Sequence, residues 1–167
     1  KEYARKDAEW VEVTGGDAIA FRGELSANQT VTSGVFTKVN LDTASIDTNS
    51  ALTDGKFQPS VAGYYQVNGS ILQACSPGSI QTISGIYKNG VRASGGDHFI
   101  DYAAPSTIAN QCSQVSDVIY LDGKDDYLEL FGLVAITGTC AISESNIYTY
   151  LSAVLVTGGT GTGGIPE

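Results

Sequence analysis

The stretch Phe57-Gln58-Pro59-Ser60-Val61-Ala62-Gly63-Tyr64-Tyr65-Gln66-Val67-Asn68-Gly69-Ser70-Ile71 decides the fold. From residue 63 to residue 74, Tyr65, Val67 and Ile71 fall on one side, and Gln66, Asn68 and Ser70 fall on the other. A period of two with one apolar and one polar side is the pattern of a half-buried strand.

The same pattern recurs on both sides of this stretch. Residues 18–27 alternate through Ile19, Phe21 and Leu25, and residues 35–41 place Val35, Thr37, Val39 and Leu41 on one face. Residues 80–87 run into Lys88-Asn89-Gly90, and Asn-Gly is a strong hairpin-turn signal. A short strand is expected at 98–102. Residues 115–121 pass through Asp122-Gly123-Lys124-Asp125 into 127–136, which reads as a second tight hairpin, and 147–156 close the domain. No 3.6-residue periodicity lasts beyond two turns. Eight principal strands at this spacing predict an all-β sandwich.

Two strands, 127–136 and 148–156, are apolar on both faces. In the second, Leu151, Ala153 and Leu155 point one way, and Tyr148, Tyr150, Val154 and Val156 the other. A strand in a two-layer sandwich shows water one face. Something must therefore cover the second face, either a long loop or another copy of the chain. For the last strand, another copy is the favoured expectation.

Composition narrows the function. Only 16% of the 167 residues are charged, 42% are hydrophobic and 20 are Gly, a balance that suits short strands and turns. The net charge of −9 argues against nucleic acid, which demands a basic face. No run of 18 apolar residues is present to span a bilayer, and no signal-peptide pattern stands at the start. The chain opens on Lys1 and holds no Met, which reads as a processed chain or a segment of a longer one. Residues 1–14 are expected to form a short hairpin module anchored by Trp10, followed by a hinge at Gly15-Gly16. Residues 15–157 form the main domain, and 158–167 a Gly/Thr-rich linker.

Taken in order, several segments resemble the complement-one-q and tumour-necrosis-factor-like jelly roll. They are Ala20-Phe21, the F-x-P-x-x-A-G-Y-Y phrase of residues 57–65, Tyr87-Lys88-Asn89-Gly90, residues 118–128, and the closing Tyr150-Leu151-Ser152-Ala153-Val154-Leu155. The closing strand departs from the family's aromatic-Ser-Gly-Phe pattern. The resemblance implies a jelly-roll sandwich of two antiparallel sheets and a homotrimer. The first, third, sixth and last strands would line a threefold axis, with Tyr64, Tyr120, Tyr150 and Val154 at the interface. It also implies both chain ends at one pole, with loops at 28–34, 76–79, 104–111 and 138–146 at the other. A Cys75–Cys112 bridge would match a loop pair joined in some family members. The opening residues 3–13, of the form Y-x-R-x-x-x-x-W-x-x-V, resemble a short segment of bacteriophage tail, fibre and head-decoration proteins.

No catalytic constellation emerges. His98 is the single histidine, and its neighbour Asp97 would point to the opposite face of a strand, so Gly95-Gly96-Asp97-His98 reads as a loop. Cys75, Cys112 and Cys140 lack C-x-x-C spacing, which argues against zinc; all three thiols are expected reduced in a cytoplasm-assembled protein. The acidic groups at 42–47 and 122–126 lack the calcium-loop spacing and read as solvated turn carboxylates.

The expected function is a non-enzymatic trimeric module of a virion, without cofactor. Its partners would be itself, other virion proteins through the termini, and a host-surface glycan or protein through Ser106, Thr107, Asn110, Gln111, Ser145 and Asn146 in the distal loops. Hydroxyl and amide groups suit saccharide hydroxyls. The alternatives are a purely structural fibre-trimerising or capping module and a secreted complement-one-q-type recognition protein.

Overall fold

The computed structural model describes residues 2–6, 9–13, 18–75, 80–100, 109–135 and 140–158. Its strands are β1 (Glu2–Lys6), β2 (Glu9–Val13), β3 (Ala20–Glu24), β4 (Gln29–Val31), β5 (Thr37–Lys38), β6 (Thr43–Asp47), β7 (Leu52–Thr53) and β8 (Lys56–Phe57). They continue as β9 (Gly63–Cys75), β10 (Ile80–Lys88), β11 (Val91–Ile100), β12 (Ala109–Leu121), β13 (Leu128–Ala135), β14 (Cys140–Ile142) and β15 (Tyr150–Gly158). No helix occurs among the described residues. β1 and β2 pair antiparallel, so the expected N-terminal hairpin forms.

Two antiparallel sheets build the domain. In the first, β9 is central: β12 pairs along one edge, and β14 and β15 share the other, with β3 and β6 beyond β15 and β4 beyond β14. The second runs β11-β10-β13-β8-β7, with β5 also on β13. The first, third, sixth and last principal strands therefore do share one sheet. Val154 pairs with Ala20, and Gly158 with Gly63, so the domain begins and ends at the Gly63 end of β9.

The sheets close on an apolar core because their inward positions alternate as the sequence dictates. Tyr65, Val67 and Ile71 of β9 and Leu151 and Ala153 of β15 are buried, facing Ile86, Leu128 and Leu130. Phe57 sits between Phe21 and Tyr65, with centroids 4.7 and 5.4 Å away, so the F-x-P-x-x-A-G-Y-Y phrase supplies two aromatics of the core. The Tyr65 hydroxyl donates to the Val61 carbonyl at 2.7 Å, and burial raises its pKa.

Three expectations need correction. Asn89 and Gly90, both at positive φ, do join β10 to β11 in a hairpin, as the sequence foretells. Yet β11 extends through Gly95-Gly96-Asp97-His98, which is strand rather than loop. Glycine is needed there because β11 passes against β12: a Cβ on Gly96 would overlap the Gln114 carbonyl, and Ser94 donates to Asp117. Second, 115–121 and 127–136 form no hairpin. β12 pairs with β9 and β13 with β10, so the turn at 122–127 carries the chain between sheets. Asp122 holds that turn, its carboxylate accepting the N–H groups of Lys124, Asp125 and Asp126 at 2.9–3.0 Å. Third, of the run 35–41 only Thr37–Lys38 is strand, and Val35 is exposed.

Candidate functional site

The outward face of the β12-β9-β15-β3 sheet gathers every residue expected at an interface. On β9, outward positions alternate with the core ones, which sets Tyr64, Gln66, Asn68 and Ser70 on the outer side of the sheet, where Ser70 is buried and donates to the Tyr148 carbonyl at 2.6 Å. Register then places Tyr120 opposite Tyr64, Val118 opposite Gln66, and Val154 on Gln66's other side. Tyr64 is 49% exposed, Val118 51%, Val154 50% and Val156 62%. Aliphatic and aromatic side chains half in water, side by side on one sheet face, form an uncovered apolar band at the end where the domain begins and ends. Val118 is absent from the sequence-derived set, although it shares the parity of Tyr120 and follows from the same period of two.

Gln66, between Val118 and Val154, starts a polar strip that runs along the face toward Asn68. Gln66 donates to the Ser116 hydroxyl at 2.9 Å, and Ser116 donates to Asn68. A cavity of about 220 Å³ opens beside them, lined by Asn68, Gly69, Gln114, Val115, Ser116 and Tyr150. Tyr150 carries the Arg22 guanidinium at 3.8 Å from its ring centroid. Arg22 Nε reaches Glu24 at 2.9 Å, and Glu24 also accepts from Ser45 at 2.6 Å, so this nearly buried carboxylate is neutralised and bonded. An ion pair beside an aromatic ring was not visible in the sequence, because only the β3–β15 pairing brings Arg22 to Tyr150.

The second doubly apolar strand has a local explanation. Phe131 points outward from β13, but Tyr87 lies 4.1 Å from it, centroid to centroid, and Phe36 lies 6.1 Å from Tyr87. Residues 34–39 run along the edge of β13, with the Gly34 N–H bonded to the Val134 carbonyl and the Val39 N–H to the Leu130 carbonyl, and this brings the Phe36 ring to Tyr87. On β15, by contrast, Arg22 lies over Tyr150, while Val154 and Val156 stay exposed.

Among the described residues, the expected ligand-binding side chains do not converge. Ser106 and Thr107 lie outside the described residues, as do residues 159–167 and the side chain of Trp10. Asn110 is exposed near the far end of β12, whereas Gln111 is buried in the strand opposite Gln73. Ser145 and Asn146 belong to a turn beside the middle of β9: Ser143 donates to the Leu72 carbonyl, and Arg22 reaches the Asn146 carbonyl. Gln111 thus packs the interior, and Asn146 stands away from the far pole.

The cysteines pair otherwise than expected. Cys140 of β14 stands opposite Cys75 of β9 and is bonded to it. Cys112 is free: its register partner is Leu72, it lies on the outward face, and its Sγ contacts the Ser70 hydroxyl at 3.3 Å. Cys75 points inward, so the sheet itself separates it from Cys112. The acidic groups are occupied by turns, with Asp42 accepting from Ser26 and Asp47 from the Ala51 and Leu52 N–H groups.

No protein-family model matches the chain, and no curated protein matches its sequence. Solved structures do match its shape. Eiger TNF from S. frugiperda superposes with a TM-score of 0.64 at 14% identity, over 85% of this chain and 94% of that one. Murine APRIL gives 0.60 at 12% identity, over 84% and 100%. The globular domain of the zebrafish complement 1qA protein gives 0.50 at 16%, over 84% and 99%. With two antiparallel sheets in this strand order, the chain has the jelly-roll fold of the tumour-necrosis-factor and complement-one-q domains.

Proposed function

We propose that this chain is a non-enzymatic homotrimeric module, assembled through the outward face of the β12-β9-β15-β3 sheet. The observation that carries the reading is the uncovered apolar band of Tyr64, Val118, Val154 and Val156. Four large side chains half-exposed close together around Gln66 mark an association surface rather than scattered surface residues. The family resemblance of residues 57–65 and 150–155 supports three copies around that face. The second chemical element of the interface is the Arg22–Glu24 pair against Tyr150, which would fix register between copies.

On this reading the module displays its far pole, where β9 and β13 end and β10 and β12 begin, while the termini attach it to a larger assembly. The resemblance of residues 3–13 to phage tail and fibre segments supports a virion as that assembly, with a host surface as the target. A second reading, a secreted complement-one-q-type recognition protein, is favoured by one observation. The Cys75–Cys140 bond belongs to an oxidising environment.

Sedimentation velocity of Val154→Glu tests the interface. A charge placed in the band has no partner there once copies pack together. The proposal expects a folded monomer; an unchanged assembly would remove this face from the interface.

A further inference from the structure

The interior of the sandwich changes character along its length. Toward the Gly63 end it is filled by Phe21, Phe57, Tyr65, Leu121, Leu128 and Leu130. Toward the Cys75 end polar side chains join Ile71, Val134 and Ile142 in the interior. Gln73 and Gln111 stand opposite each other on β9 and β12, with Ser113 next inward on β12, while Thr82 and Ser84 are buried on β10. All five side chains are inside, and Gln73 Oε1, Thr82 Oγ1, Ser84 Oγ and Ser113 Oγ have no hydrogen-bond partner. Buried polar atoms without partners weaken the layer that contains them unless water reaches them.

Beyond the polar layer lies a small separate cluster of Cys75, Val134 and Cys140, with Val31 against it. The strands that close it are short. β14 pairs over three positions with β9 and over three with β4, and it contributes a single side chain, Ile142, to the main core. Short ladders over a polar interior have little apolar burial to hold them. The covalent tie is the Cys75–Cys140 bond, which joins residues 65 apart in sequence.

The geometry points to a redox latch: with Cys75–Cys140 bonded, β4 and β14 stay shut over the polar half of the sandwich. When the bond is reduced, they part from β9 while the aromatic half stays folded. Reduction requires an external dithiol. One thiolate attacks the Sγ of Cys75 or Cys140, the S–S bond breaks, and the departing sulfur takes up a proton. The second thiol then attacks the mixed disulfide, so two electrons and two protons pass to the protein and the reductant leaves as its own disulfide. Both cysteines are buried, at 1% and 5% exposure, but they stand at the last residue of β9 and the first of β14, so the dithiol reaches the bond through local fraying of those two strand ends. Cys112 faces the other side of the sheet and does not compete for either sulfur.

Hydrogen–deuterium exchange on the full chain tests this, with oxidised protein, dithiothreitol-reduced protein and the Cys75→Ser/Cys140→Ser variant compared. The latch predicts that amides of 29–31 and 140–143 exchange about tenfold faster, or more, in both reduced forms, while those of 20–24, 65–69 and 151–155 change by less than about twofold. Equal acceleration everywhere, or none anywhere, overturns it. Adding Thr82→Val and Ser113→Ala to the double variant removes two unpartnered hydroxyls and should slow exchange at 140–143 again. Unchanged exchange there would show that the polar layer is not what makes the latch necessary.

Discussion

Tyr64 of β9 and Tyr120 of β12 are register partners whose rings meet at 62° with centroids 5.3 Å apart, on the outward face of the sheet. Tyr64 is half in water and Tyr120 partly so, at the end of the sheet where the domain begins and ends, and Val118 extends the pair along the strand. An edge-to-face pair contributes beyond its buried area once a partner closes over it. Tyr120→Ala should weaken self-association roughly tenfold or more, because about 1.4 kcal/mol corresponds to a factor of ten. Concentration-dependent light scattering measures this, and the circular dichroism of the variant should remain that of a β protein.

The interior aromatic stack makes a second, independent demand. Phe57 has no exposed surface and touches both Phe21 and Tyr65. Phe57→Ala leaves a cavity between the sheets and should cost about 3–5 kcal/mol of unfolding free energy. Urea denaturation with an unchanged slope gives the value; a loss under about 1 kcal/mol would mean that the phrase 57–65 does not anchor the core.

Acid should loosen the turn that carries the chain from β12 to β13. The N–H groups of Asp126, Lys124 and Asp125 hold the Asp122 carboxyl below its ordinary pKa. The Ser26 hydroxyl does the same for Asp42. For Asp126, burial pushes upward, but the hydrogen bonds from Lys88 and Asn89 outweigh it. With folded pKa values below unfolded ones, the stabilisation is complete above the unfolded value of about 3.9 and is lost as pH falls through the folded values. Asp122→Ala should therefore lower the melting temperature at pH 7, with the gap to wild type closing below about pH 4. A gap independent of pH would contradict the assignment.

Gly96 tests the crossing of the two sheet edges. A Cβ there overlaps the Gln114 carbonyl, a backbone atom that cannot swing aside. Gly96→Ala should destabilise by about 1–3 kcal/mol, measured by thermal unfolding. A neutral substitution would mean that β11 does not press on β12 at this point.

Much of this was legible in the sequence, and the reasons differ by element. Tyr65, Val67 and Ile71 announce β9 because burial on one side forces alternation, and Asn89-Gly90 announces its hairpin because few residues adopt positive φ. The link at 122–127 was misread because a tight turn between strands looks the same whether they pair or change sheets. Residues 91–97 were missed as strand because Gly95-Gly96 mimics a loop, when it answers to a close backbone approach that only the tertiary fold creates. The cysteine pairing was hidden for the same reason. Cys75 meets Cys140 through the register of β14 on β9, which no sequence spacing reveals. Tyr64, Tyr120, Tyr150 and Val154 were named through the family resemblance, and strand parity agrees in setting all four on the outward face of the sheet.

The central claim is that the uncovered face of β12, β9, β15 and β3 assembles three copies of the chain. The most direct test is the mass of the full chain in solution, measured by light scattering across micromolar concentrations. The account predicts a single species of three times the chain mass that persists on dilution; a stable monomer through that range would contradict it.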